Sequence, residues 1–121
     1  MTTWLFEPAT DGCAERDVLD ITLRFVDEVT VCVLDGPLCA YTAPVLDGWL
    51  DQLEDNGRHR VIVDASDVVT MSSDGVDVLT RHAELLRSAG GALQVRAPSS
   101  VARRVLGLCD AHHLIEPDDC T

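Results

Sequence analysis

The strictest pattern in the chain lies between Leu19 and Val33. Leu19, Ile21, Leu23 and Phe25 alternate with Asp20, Thr22 and Arg24, and after Asp27-Glu28 the alternation resumes as Val29, Val31 and Val33 around Thr30 and Cys32. A period of two is the side-chain period of a strand. Two such runs across a two-residue turn predict a β-hairpin, although Asp-Glu is not the favoured pair for a tight turn. Alternation in both strands predicts a sheet with one packed face and one wetter face.

The period then changes. Thr42 is placed to cap a helix, with Pro44 in a first turn where a missing N–H costs nothing. Leu46, Trp49, Leu50 and Leu53 recur at helical spacing, and Asn56-Gly57 is a stop signal. Val61 to Asp64 is short, β-branched and apolar, which predicts a strand covered on both faces. Val76, Leu79, Ala83 and Leu86 form one helical stripe ending at Gly90-Gly91, with Asp77 and Arg81 as an i, i+4 pair on the wet side. Ala92 to Val95 predicts a strand. Pro98-Ser99-Ser100 opens a third helix whose apolar stripe is Val101, Val105, Leu108 and Cys109. The order ββαβαβα predicts an α/β domain, a mixed sheet with helices, its parallel strands joined by right-handed crossovers. We place the domain at residues 17–116, after an arm of residues 1–16 whose one apolar feature is Trp4-Leu5-Phe6, and before an acidic tail, 117–121.

At 121 residues the chain is one domain. Its charge of −12 at pH 7 argues against nucleic acid and against anionic membrane surfaces. All nine bases are arginine. No apolar run approaches the roughly 18 residues of a membrane span, and no leader opens the chain, so it reads as cytoplasmic. Five cysteines (13, 32, 39, 109 and 120), odd in number and irregularly spaced, predict no disulfide framework and no pairing within the monomer. Cys109 with His112 and His113 has possible metal-ligand spacing, but no fourth ligand lies nearby and the apolar stripe assigns Cys109 to the core. No metal and no cofactor are expected.

Ser72-Ser73-Asp74 stands where a strand gives way to a helix. The first N–H groups of a helix lack intrahelical partners, so a side-chain cap from one of these three residues is expected. A phosphate on Ser73 would add roughly −1.5 to −2 charges at the positive end of that helix. Nothing here predicts an enzyme. Ser73 lacks the G-x-S-x-G wording of a hydrolase nucleophile, and Asp64 lacks the lysine that a receiver domain needs.

Several ordered motifs carry a resemblance. Gly36-Pro37-Leu38-Cys39 followed by Thr42-Ala43-Pro44, then Asp64-Ala65-Ser66, then Ser72-Ser73-Asp74-Gly75-Val76 resemble in order the landmarks of the STAS domain family. Ala89 to Leu93 and Val101 to Leu106 continue the match to its end. The chain is most similar to the bacterial anti-sigma factor antagonists of that family. The resemblance implies a module that binds an anti-sigma factor of the ATP-dependent serine-kinase type, releases the sigma factor and is switched off by phosphorylation of a loop serine. It implies Ser73 as phosphoacceptor, with Ser72 as the alternate. It implies a partner surface of Leu38, Cys39, Tyr41, Thr42, Ser72, Ser73, Asp74, Gly75 and Val76. Here Ser72 stands for the family's loop aspartate, Asp74 for its second serine, Cys39 for its turn acid and Pro37 for its glutamate. The alternative is a STAS-type small-ligand or nucleotide-sensing module without phosphorylation.

Overall fold

The computed structural model describes residues 18–115. The alternating runs pair as the sequence predicts: β1 (Asp20–Val26) and β2 (Val29–Leu38) form an antiparallel hairpin. Asp27 takes the turn with a φ of 56°, a left-handed position that aspartate tolerates better than most residues. α1 (Ala43–Asp55) leads to β3 (Arg60–Met71), α2 (Ser73–Ser88) to β4 (Ala92–Arg96), and α3 (Ser100–Leu108) to a single 3-10 turn at His112–Leu114. The sheet is mixed, in the order β1-β2-β3-β4, with β2, β3 and β4 parallel. Beyond it, Ile115 adds one parallel bridge to Val95.

Register fixes which face is buried. Leu23, Cys32, Val63 and Val95 form one row across all four strands, and Thr30, Val61 and Leu93 form another beside it. These residues belong to the helix-covered face, where Leu46, Leu50, Leu79, Leu86 and Leu106 complete one core. Ile62, Asp64, Gln94 and Val33 lie on the other face and remain only half-buried. β3 is thus covered on one face, not on both as its composition suggests. Thr30 is buried at the end of the core, where its Oγ1 accepts from Arg58 Nε at 2.9 Å. The same guanidinium lies 5.0 Å from the centre of the Phe25 ring.

All three helices end alike. Gly57, Gly90 and Asp110 have positive φ, and each closing segment returns two N–H groups to carbonyls of the last turn, as with Gly57 to Glu54 and Arg58 to Leu53. The third of these closures corrects one expectation. It stops α3 at Leu108, so the buried pair is Ala102 and Leu106, while Leu108 and Cys109 are exposed. α1 also turns differently from its predicted stripe, because Trp49 faces outward while Leu46, Leu50 and Leu53 are buried. Arg81 does not pair with Asp77. Its Nη2 donates instead to Asp47 on α1 at 2.6 Å.

Candidate functional site: the β2 and β3 ends with the α2 N-terminus

β2 and β3 run further than their alternating cores. Past two register shifts they stay paired to their ends, Pro37 with Thr70 and Leu38 with Met71. Pro37 lacks an N–H and Gly36 has a φ of 126°, so the stretch reads as a turn in the sequence yet continues the ribbon as an irregular one. An Asx-type turn marks the same zone on β3, where Asp64 Oδ1 accepts from the N–H and hydroxyl of Ser66. Carried this far, the two strands deliver both candidate segments to one end of the sheet.

At that end the segments touch. The Ser72 N–H donates to Leu38 O at 2.9 Å. A Cβ on Gly75 would lie 2.6 Å from Leu38 Cγ, so glycine is what allows the first turn of α2 to seat on β2. Leu38, Gly75 and Val76 are buried beneath the site, while Ser73 and Asp74 are exposed on top. Thr42 does not cap α1 with its side chain. Its Oγ1 is drawn back into the preceding turn, accepting from Cys39 N–H at 2.9 Å and donating to Pro37 O at 2.8 Å. This bracket fixes Cys39 next to the Leu38–Ser72 link, and Tyr41 is exposed beside it.

Two further expectations fail here. α2 has no side-chain cap. Ser72 occupies the N-cap position, but its Oγ is buried without a hydrogen-bond partner, out of bonding reach of the free N–H groups. Exposed Asp74 in the first turn answers the helix dipole through its charge instead. The second concerns the cysteines. Cys39 is disulfide-bonded, and its partner is neither Cys32 nor Cys109, which are free thiols. Spacing along the chain carries no information on which sulfurs the fold brings together. Cys32 is fully buried, and desolvation pushes its thiol up to about 12.

A further cluster was not legible in the sequence. His82 projects from α2 with 1% of its surface exposed. Its Nε2 lies 2.6 Å from Asp47 Oδ1 and its Nδ1 2.5 Å from Glu54 Oε2, both on α1. Hydrogen bonding by His82, assisted by Arg81, holds the Asp47 carboxyl below its usual range. Asp47, Asp51 and His82 could offer three metal ligands. Arg81 and His82 both bond Asp47 Oδ1 and His82 reaches on to Glu54, so the arrangement reads as a hydrogen-bonded clamp between the two helices that open at the site. Cys109, His112 and His113 form no such group among the described residues. At the opposite end of the sheet, Asp27, Glu28, Arg58, His59, Arg60 and Gly91 border a shallow polar cleft of about 410 Å³.

The match to known proteins follows this geometry. The model of the STAS domain matches residues 20–119. The chain belongs to the STAS domain family. Among solved structures it is similar to an anti-sigma factor antagonist from Mycobacterium paratuberculosis, with 23% identity, a TM-score of 0.74, and coverage of 85% of this chain and 86% of that one. It is also similar to the anti-sigma factor antagonist SpoIIAA in its unphosphorylated form, at 18% identity and TM-score 0.72, covering 80% of this chain and 86% of that one. The phosphorylated form of SpoIIAA, described as a Bacillus cell fate determinant, matches at 19% identity and TM-score 0.66 over 80% of this chain and 89% of that one. No curated protein matches at a significant level. Identities this low establish the STAS fold, a four-stranded mixed sheet with three helices, and leave the partner to be argued from the site. Among the described residues, no helix is long and apolar enough to cross a membrane.

Proposed function

We propose that this STAS domain is an anti-sigma factor antagonist, a non-enzymatic cytoplasmic module of a bacterial partner switch. It binds an anti-sigma factor of the serine-kinase type through the end of the sheet that carries Leu38, Cys39, Tyr41, Thr42 and Ser72 to Val76. The observation that carries the reading is the pairing of an exposed Ser73 with a loop fixed from below by the Ser72–Leu38 hydrogen bond. A kinase needs a hydroxyl it can reach on a backbone that does not move away. Ser73 meets both conditions, whereas the Ser72 Oγ is closed off from solvent. The likeness to anti-sigma factor antagonists, one of them solved in phosphorylated form, supports the same role. No nucleic acid, membrane or cofactor enters the mechanism.

The switch follows from desolvation. A neutral hydroxyl is covered by a partner at little cost, but a charge covered without a counter-ion costs several kcal/mol after relaxation. Calorimetric titration of Ser73→Ala and Ser73→Glu against a serine-kinase anti-sigma factor tests this. Ser73→Ala keeps the affinity and Ser73→Glu loses at least about 1.4 kcal/mol, a factor of roughly ten. Equal affinities would remove Ser73 from the interface. A second reading, a small-ligand module, has its support in the polar cleft at the opposite end, and specific binding of an anionic metabolite there without any anti-sigma contact would favour it.

A further inference from the structure

Asp47, Asp51 and Glu54 recur at i, i+4 and i+7 along α1, so their carboxylates line one face of that helix. The face meets α2 at His82, whose side chain is 1% exposed. On one side of the ring Nε2 lies 2.6 Å from Asp47 Oδ1 and 3.8 Å from Asp51 Oδ1. On the other, Nδ1 meets Glu54 Oε2. The hydrogen-bonded clamp uses Asp47 and Glu54. It does not use Asp51, which at 3.8 Å stands beyond hydrogen-bond distance of the ring, yet is aimed at the same nitrogen.

Charge and protons both ask for a cation at this point. A neutral imidazole carries one N–H. With that proton given to Glu54, the buried Nε2 lone pair faces the oxygens of Asp47 and Asp51. Three carboxylates against the single guanidinium of Arg81 then leave two negative charges around the ring, the charge that one divalent ion cancels. Size agrees. The ligand atoms of Asp47, Asp51 and His82 lie within 4.8 Å of one another. A tetrahedral ion about 2.0–2.1 Å from each needs them roughly 3.3 Å apart, so Asp47 withdraws by less than about 1 Å while Asp51 swings in from the exposed side. Behind the ring, Glu54 is the carboxylate that a metal-bound histidine ordinarily keeps on its other nitrogen, where it fixes tautomer and orientation. A ring nitrogen in the set disfavours calcium and magnesium, which take oxygen ligands, and suits zinc and its neighbours.

We propose that Asp47, Asp51 and His82 form a site for a divalent transition-metal ion, zinc above all, which ties α1 to α2, with Glu54 positioning the imidazole from behind. The clamp is the metal-free form of the same cluster, in which a proton and Arg81 stand in for the ion. Arg81, 54% exposed, stays with the Asp47 carboxylate when the ion is bound. Because two ligands come from α1 and one from α2, binding stabilises the packing of those helices. The site stands apart from the Ser73 loop and is independent of what that loop binds.

Thermal melting and calorimetric titration of the chelator-treated full chain with zinc chloride test the site, with magnesium chloride as the control ion. Zinc binds once per chain and raises Tm, and magnesium does neither. Asp51→Asn is the deciding variant, because it removes a ligand and leaves the clamp intact. Its metal-free Tm matches the parent, and its zinc affinity falls at least about tenfold. Glu54→Gln weakens zinc by roughly 10–100-fold through the ring it orients. Cobalt(II) in place of zinc gives visible bands without a thiolate charge-transfer band. The combined Cys109→Ser, His112→Ala and His113→Ala variant binds zinc as the parent does. An Asp51→Asn affinity equal to the parent's, a thiolate band, or a Tm that zinc does not move would overturn the proposal. So would an equal response to magnesium, which marks acidic surface alone.

Discussion

Replacing His82 by alanine tests whether α1 and α2 are held by the clamp or merely lie together. The ring is buried and faces a carboxylate on each nitrogen, with Asp47 33% and Glu54 20% exposed. Hydrogen bonds to charged groups contribute roughly 1.5–3 kcal/mol each, so two of them set a ceiling of about 6 kcal/mol. Two effects lower that ceiling. Both carboxylates can recover water when the ring is gone, and Asp47 keeps Arg81. Against these stands a cavity the size of an imidazole, with the packing it forfeits. The expected loss is about 3 kcal/mol, which for a domain of this size lowers Tm by on the order of 12–20 °C. Urea titration and thermal melting followed by circular dichroism measure it. Apportioning the loss requires a cycle with Glu54→Gln, where a true clamp gives a coupling above about 1 kcal/mol. A loss below about 1 kcal/mol, or additive single variants, would refute the clamp and leave apolar packing as the bond between the helices.

Glycines separate two kinds of backbone constraint. Gly91→Ala should cost at least about 2 kcal/mol, because its Cβ would collide with the His59 carbonyl oxygen, whereas Gly48→Ala, in open space on α1, should gain about 0.5–1 kcal/mol, both read from denaturant midpoints. Iodoacetamide at pH 8 should label Cys109 in the native protein and spare Cys32, whose burial and raised pKa of about 12 withhold the thiolate; labelling of Cys32 without prior unfolding would contradict the buried position. The depressed Asp47 carboxyl is a stabilising contribution fully present above the unfolded-state value near 3.9 and lost as pH falls through the lower folded value. Stability should therefore drop more steeply below about pH 4 in the parent than in Asp47→Asn.

What could be read from the sequence divides along a physical line. The hairpin, the three helices and β4 were legible because each announces itself within one window of chain, through period, cap or stop. The ends of β2 and β3 were not. Asp35-Gly36-Pro37 is turn chemistry, and it becomes strand only because Thr70 and Met71 lie opposite. Helix faces failed where a partner decides them. Arg81 looked like the neighbour of Asp77, but Asp47 on another helix offers a better site. His82 looked like one more residue on a helix, because its acids lie 28 and 35 positions away. The sequence offers the candidate residues, not how the fold joins them. Ser73 and Asp74 can be named from the sequence, but the buried Ser72 hydroxyl and the bonded Cys39 sulfur depend on contacts no local pattern encodes.

The strand order β1-β2-β3-β4 has a consequence for how the molecule is made. Each strand pairs with the one synthesised just before it, so no strand waits for a partner still to come. The hairpin closes first at the cost of a two-residue loop, and each later strand returns through a single helix to an edge already present. During synthesis the outer edge of β1 stays an edge, while the opposite, growing edge is always the newest strand and is covered by the next strand to emerge. An order that interleaved the strands would leave an early edge bare for longer. This chain is laid down like brickwork, each course resting on the last.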